Sequence, residues 1–203
     1  TVDPEVTEDF EEFMIFVDSV RKLRVRCNAD TFQDAKVARA FGAEGIGLCR
    51  TEHMFFEEDR ISYVRQMILA KDKAERQKAL DKLLPVQQQD FEELFEAMDG
   101  LAVTIRFIDP PLHEFLPREV EDIEVLARQL KVSYEDLEAR IDTLSESNPM
   151  MGHRGCRLAV TYPEIIEMQT KAIIYAAISS KRMGIKVIPE LMIPLISTLG
   201  EFK

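Results

Sequence analysis

The sequence predicts an α/β protein with parallel strands, on three observations. Short apolar runs rich in β-branched residues alternate with longer segments of helical periodicity. The strand-like runs end in loop residues such as Asn28-Ala29-Asp30 and Asp109-Pro110-Pro111. Hydrophobic residues make up 46% of the chain against 31% charged, enough to build a core. This alternation fits either a doubly wound sheet or a (β/α)8 barrel. About five strands can be counted, and a barrel needs eight, so the barrel reading requires a longer parent chain. The 203 residues begin at Thr1 with no initiator Met and stop at Lys203 just after an apolar strand pattern. The expectation is therefore a fragment.

Each element follows from local pattern. Asp9 to Arg21 carries Phe10, Phe13, Met14, Phe16, Val17 and Val20 at helical spacing. Leu23 to Cys27 alternates and predicts a strand running into the Asn28-Ala29-Asp30 loop. Thr31 is placed to cap a helix over Phe32 to Phe41, which Gly42 to Gly45 ends before a short buried strand, Ile46 to Cys49. From Glu57 to Met98 the pattern is helical, with Ile61, Val64, Met67 and Ile68 on one face. Leu101 to Ile108 reads as the next strand. Residues 118 to 147 read as two short helices, the second capped by Ser133. Met150 to Leu158 reads as a loop with room for a very short strand. Tyr162 to Met183 is a long helix ended by Gly184, and Val187 to Ile196 is a final buried strand.

Charge and composition remove several function classes. The 37 acidic residues exceed the 26 basic ones, giving a formal charge of -11. A general nucleic-acid or anionic-membrane surface needs a basic face, so neither partner is expected. A small anionic substrate needs only a few well-placed arginines. No apolar run approaches the roughly 20 residues that span a bilayer, and no signal peptide is recognisable. Cys27, Cys49 and Cys156 are odd in number and far apart, which predicts reduced thiols in a cytoplasmic protein.

Three arginines stand where α/β folds build their sites. Arg50 follows the strand Ile46 to Cys49, Arg106 lies near the end of Leu101 to Ile108, and Arg154 sits in the glycine-flanked loop after Pro149. The carboxyl ends of parallel strands form the active face. A guanidinium there offers a planar fork of donors that grips two oxygens of a phosphate or carboxylate and keeps its charge. A lone arginine at a strand end is also commonly half of a weak surface ion pair, and Arg50 has Glu52 nearby as Arg106 has Asp109. Both readings stay open on the residues alone.

Other residue types point elsewhere. His53, His113 and His153 match no zinc spacing and do not cluster with the cysteines, so no metal site is expected from them. His153 reads as a structural hydrogen-bonding residue. Met54, Met67, Met98, Met150, Met151, Met168, Met183 and Met192 fall mostly at core spacing and read as packing. Gly42, Gly45 and Gly47 do not form a G-x-G-x-x-G, and no P-loop occurs.

The same arginines lie in long segments that resemble the pyruvate, phosphate dikinase family of phosphoenolpyruvate-utilising enzymes. Gly45 to Phe55 (GIGLCRTEHMF), Asp109 to Phe115 (DPPLHEF) and Asn148 to Leu158 (NPMMGHRGCRL) are the segments in question, and Pro189 to Leu195 (PELMIPL) is similar to a fourth. The resemblance runs from Asn28 to Leu195. It implies the N-terminal part of a C-terminal (β/α)8 barrel, with helical insertions at about 57–98 and 112–147, that binds pyruvate or phosphoenolpyruvate. It implies substrate binding by Arg50 and Arg106, with a weaker claim for Arg154, and a parent transferase that interconverts ATP, phosphate and pyruvate with AMP, pyrophosphate and phosphoenolpyruvate. It further implies a phosphohistidine domain and an ATP-grasp domain in the same parent chain, a homodimer, and Mg2+ held by a glutamate and an aspartate beyond Lys203. The family's proton-donating cysteine also falls beyond Lys203 and matches none of Cys27, Cys49 or Cys156. No catalytic or metal residue is expected within 1–203, and the piece alone is expected to be inactive. Phosphoenolpyruvate synthase and enzyme I of the sugar phosphotransferase system share a looser G-I-G-L-x-R segment and remain alternatives, as does a non-catalytic association module.

Overall fold

A computed structural model describes residues 7–145 and 147–202. The sequence expectations about Thr1 and Lys203 lie outside them. The first helix, α1 (Glu8–Val20), starts where the Thr7 hydroxyl accepts from the Phe10 amide at 3.3 Å. Strand β1 is only Cys27–Asn28, shorter than the alternating Leu23 to Cys27 pattern predicts. It is an edge strand with one neighbour, and Leu23 and Val25 of the expected strand are exposed. Helix α2 (Phe32–Ala40) is capped as predicted, the Thr31 hydroxyl accepting from the Asp34 amide at 3.2 Å. Strand β2 (Gly45–Arg50) follows, then a 3-10 turn at His53–Phe56 and two helices, α3 (Glu58–Leu69) and α4 (Lys73–Ala97).

Strand β3 (Ala102–Arg106) leads to α5 (Val120–Leu130) and α6 (Tyr134–Leu144), the latter capped by Ser133 onto the Asp136 amide at 3.1 Å. The glycine-rich segment then forms no strand. It is a loop ending in a short helix, α7 (Cys156–Thr161), so the described residues hold four strands where about five were expected. Helix α8 (Pro163–Arg182), strand β4 (Ile188–Met192) and a last turn of helix, α9 (Leu199–Phe202), complete the chain.

The four strands lie parallel in the order β1-β2-β3-β4. Sequential parallel order with crossovers of one hand places the covering helices on one face. Ala35 of α2, Phe91, Leu94 and Phe95 of α4, and Ala172, Ile173 and Ala176 of α8 accordingly share one core with Ile46, Cys49, Val103 and Ile105 of the sheet. Close strand approach is built into β2. Gly45 has φ +144, and a Cβ there would lie 2.6 Å from the Ala102 carbonyl oxygen. A second core, with Phe55, Leu80, Leu83, Phe115, Leu126 and Leu137, packs between α3 to α6.

The opposite face of the sheet is polar. The two-residue period of β3 turns Val103 and Ile105 to the helices and Thr104 and Arg106 the other way. Arg26, just before β1, crosses the sheet over Gly47, donating to Glu190 of β4 at 2.5 Å and 3.2 Å and to Thr104 at 3.2 Å. The expectation of a buried final strand is corrected here. Ile188, Leu191 and Met192 are exposed, and β4 has one neighbour in the described sheet. The methionines divide similarly: Met54, Met67, Met98 and Met168 are core residues, whereas Met150, Met151, Met183 and Met192 are exposed.

Candidate functional site

Arg50 and Arg106 end β2 and β3 and are register partners across the parallel ladder. Neighbouring strands lie about 4.8 Å apart, and partners at the same pleat project to the same face. Each guanidinium is then fixed by buried carboxylates. Asp30, in the loop after β1, accepts from the Arg50 backbone amide at 2.7 Å, from Arg50 Nε at 3.1 Å and from Nη2 at 2.9 Å. The same Asp30 carboxylate meets His53 Nδ1 at 2.8 Å. Arg106 donates through Nη2 to Glu52 and through Nη1 to Asp109 at 3.1 Å.

Arg154 joins this group through a shared carboxylate. Its Nη2 and Nε donate to the two oxygens of Asp109 at 2.7 Å and 3.3 Å. Asp109 therefore bridges Arg106 and Arg154. Arg154 is not at a strand end. It sits in the loop before α7, held by the Gly155 amide donating to the Asp109 carbonyl at 3.0 Å and the Cys156 amide donating to the Pro194 carbonyl at 3.1 Å. Gly155 has φ +58, and a Cβ there would lie 3.0 Å from the Pro194 oxygen, so the loop can approach this closely only with glycine.

A buried polar relay aligns the strand ends. The fully buried Thr51 donates to the Arg106 carbonyl at 2.9 Å and accepts from Gln169 of α8 at 3.0 Å, and Gln169 accepts from the Ile108 amide at 3.0 Å. The three arginines anticipated from the sequence are thus brought to one edge of the sheet. Asp30, Thr51 and Gln169 were missed, and Asp30 alone had a signal, as the carboxylate closing the first strand-loop.

The local charge balances: three guanidiniums against Asp30, Glu52 and Asp109. The cluster therefore offers directional donors rather than a net positive field. Arg50 is the most open of the three, its side chain 38% exposed against 19% for the others. Its Nη1 carries no hydrogen bond among the described residues, leaving one edge of the fork for a ligand. The other carboxylates are committed to guanidiniums, and among the described residues no three His, Cys, Asp or Glu side chains gather to hold a metal ion. His153 is a structural residue, as expected, with Nε2 2.8 Å from the Thr161 hydroxyl. His113 is buried.

The model of the "PEP-utilising enzyme, PEP-binding domain" family matches residues 4–203. The chain belongs to that family. It is similar to the pyruvate, phosphate dikinase of Rhizobium meliloti, 56% identical over 199 residues, which cover 98% of this chain and 22% of that protein. It is 58% identical to pyruvate, phosphate dikinase 1, chloroplastic, of Oryza sativa subsp. japonica over 201 residues, 98% of this chain and 21% of the relative. The dikinase of Clostridium symbiosum is 50% identical over 204 residues, all of this chain and 23% of its own length. The chain therefore spans about a fifth of the curated relatives it matches. As a phosphoenolpyruvate-utilising domain it is α/β with a parallel sheet, and no helix of its described residues is long and apolar enough to cross a membrane.

Proposed function

We propose that residues 1–203 form the N-terminal part of a (β/α)8 barrel that binds pyruvate and phosphoenolpyruvate in a pyruvate, phosphate dikinase. The observation that carries this reading is the pairing of Arg50 with Arg106 in register, with Asp109 joining Arg106 to Arg154. The sequential strand order and one-sided helical cover support a barrel, since a doubly wound sheet would reverse its order and carry helices on both faces.

Arg50 and Arg106 bind the substrate's carboxylate and phosphoryl oxygens, and Arg154 supports them through Asp109. Phosphoryl transfer concentrates negative charge on the moving group and the enolate oxygen. Guanidiniums already fixed by Asp30, Glu52 and Asp109 stabilise that charge without reorganising during reaction. In the parent, ATP, phosphate and pyruvate interconvert with AMP, pyrophosphate and phosphoenolpyruvate through a phosphohistidine on another domain beside an ATP-grasp domain, in a cytoplasmic homodimer. Magnesium supplies further charge neutralisation there. The family resemblance assigns its ligands to later strands of the parent, and no step above runs through it.

Arg50→Ala and Arg106→Ala in the complete protein are expected to lower phosphoenolpyruvate turnover by roughly 10²- to 10³-fold, the loss of one charge-assisted contact in the transition state. Near-normal turnover in both variants would refute these roles. Phosphate dependence and pyrophosphate formation separate the dikinase from a synthase, which releases phosphate, and from enzyme I, which phosphorylates a carrier protein without ATP.

A further inference from the structure

A cavity among the helices has none of the three clustered arginines in its wall. It measures about 720 Å³ and is walled by α3 and α4 on one side and α5 and α6 on the other. That volume is in the range of small-molecule sites. Tyr63, Leu69, Ala79, Leu130 and Leu137 make its floor apolar. Lys71, Lys78, Lys82 and Arg140 stand around it, against two acids, Glu75 and Asp136.

The charges are unusual for a chain of net charge -11. Among the described residues, none of these four cations forms an ion pair with a carboxylate. Arg140 donates to the Ala70 carbonyl at 3.0 Å, and the Glu75 carboxylate is occupied by the Lys71 backbone amide at 2.8 Å. Lys78 and Lys82 are one turn apart on α4, a like-charge repeat that destabilises a helix in isolation. Elsewhere on α4 the same spacing carries hydrogen-bonded pairs, Gln77 with Asp81, Gln88 with Glu92 and Gln89 with Glu93.

We propose that this cavity is a binding site for a small amphipathic anion, with an aromatic or acyl body on the apolar floor and a carboxylate, sulfonate or phosphate against Lys78, Lys82 and Arg140. The site is independent of the reading of the arginine cluster. An occupant touches both helical pairs, and so ties α3 and α4 to α5 and α6.

Anilinonaphthalene sulfonate tests the site directly, having an aromatic body and one fixed negative charge. Titration into the chain, followed by fluorescence and by methyl NMR, is expected to show saturable binding that shifts Leu69, Leu130 and Leu137. The Lys78→Glu/Lys82→Glu variant should bind about tenfold or more weakly, since two attractions become repulsions. The Lys181→Glu/Arg182→Glu variant changes the charge equally at the exposed end of α8 and should bind normally. Equal weakening in both double variants, no change in either, non-saturating fluorescence, or shifts confined to α1 and β4 would each overturn the proposal.

Discussion

Arg106→Met gives the sharpest test of how the arginine cluster is held. Arg106 contacts two buried carboxylates, and removing it affects them unequally. Asp109 keeps Arg154 at 2.7 Å. Glu52 keeps nothing: its Oε1 partner is gone, and its Oε2 is already buried without one. One carboxylate, with 9% of its side chain exposed, is therefore left charged and unpaired. Breaking a buried ion pair from one side costs about 3–5 kcal/mol. Arg106 is partly exposed, so the lower end, about 3 kcal/mol, is expected. Urea unfolding followed by circular dichroism at pH 7 reads this loss as a lower midpoint at constant slope. Adding Glu52→Gln removes the stranded charge and should return about 1–2 kcal/mol, leaving the cost of an unsatisfied neutral amide. A loss below about 1 kcal/mol, or no rescue by Glu52→Gln, would mean that the pair behaves as an exposed one and that the burial argument is wrong.

Three further outcomes follow from the geometry. Gly45→Ala places a Cβ 2.6 Å from a backbone oxygen at φ +144, and should cost at least about 2 kcal/mol in the same unfolding assay. Burial pushes the Asp90 carboxyl up to about 6 against the opposing hydrogen bonds of Arg60, so the folded state holds this proton more tightly than the unfolded chain. Its contribution is full below about pH 4 and lost as pH rises to 6. Asp90→Asn should remove about 2 kcal/mol from the stability difference between pH 4 and pH 6.5. Burial, reinforced by nearby carboxylates, raises the Cys49 thiol, so mass spectrometry after brief iodoacetamide treatment should find Cys49 unmodified in the native chain and alkylated in urea.

Local chemistry carried much of the fold into the sequence. Thr31 and Ser133 cap their helices as their side chains dictate, and the apolar runs at Ile46 to Cys49 and Leu101 to Ile108 become β2 and β3. What failed was whatever depends on a neighbour. The run Val187 to Ile196 is apolar enough for a central strand, yet β4 is exposed, because burial belongs to the covering element and not to the strand. Met150 and Met151 look like core residues by composition but sit in a turn. The segment around Gly155 gave no periodic signal and forms a loop and one short helix, with Gly155 at φ +58 where the loop turns into α7. At the site, the arginines were visible by position, but which carboxylate fixes Arg50 was not, although Asp30 closes the first strand-loop. Glu52 is nearer in sequence, yet it turns to Arg106, while Asp30 reaches Arg50 across the β1–β2 pair.

On the reading proposed above, that exchange of partners is how an acidic chain holds an anion site. If Arg50 and Glu52 closed on each other, each arginine would be neutralised locally and free to swing with its own loop. Instead Asp30 ties Arg50 to the end of β1, Glu52 ties Arg106 to the end of β2, and Asp109 ties Arg154 to the end of β3. Each guanidinium is thus anchored to a backbone segment other than its own. The entropy of ordering three long side chains is spent during folding rather than at binding. The carboxylates cancel the charge at a distance, and the unfilled edge of the Arg50 fork keeps its donors at close range. On that reading the site discriminates by contact, favouring ligands whose oxygens can reach the open guanidinium edge of Arg50.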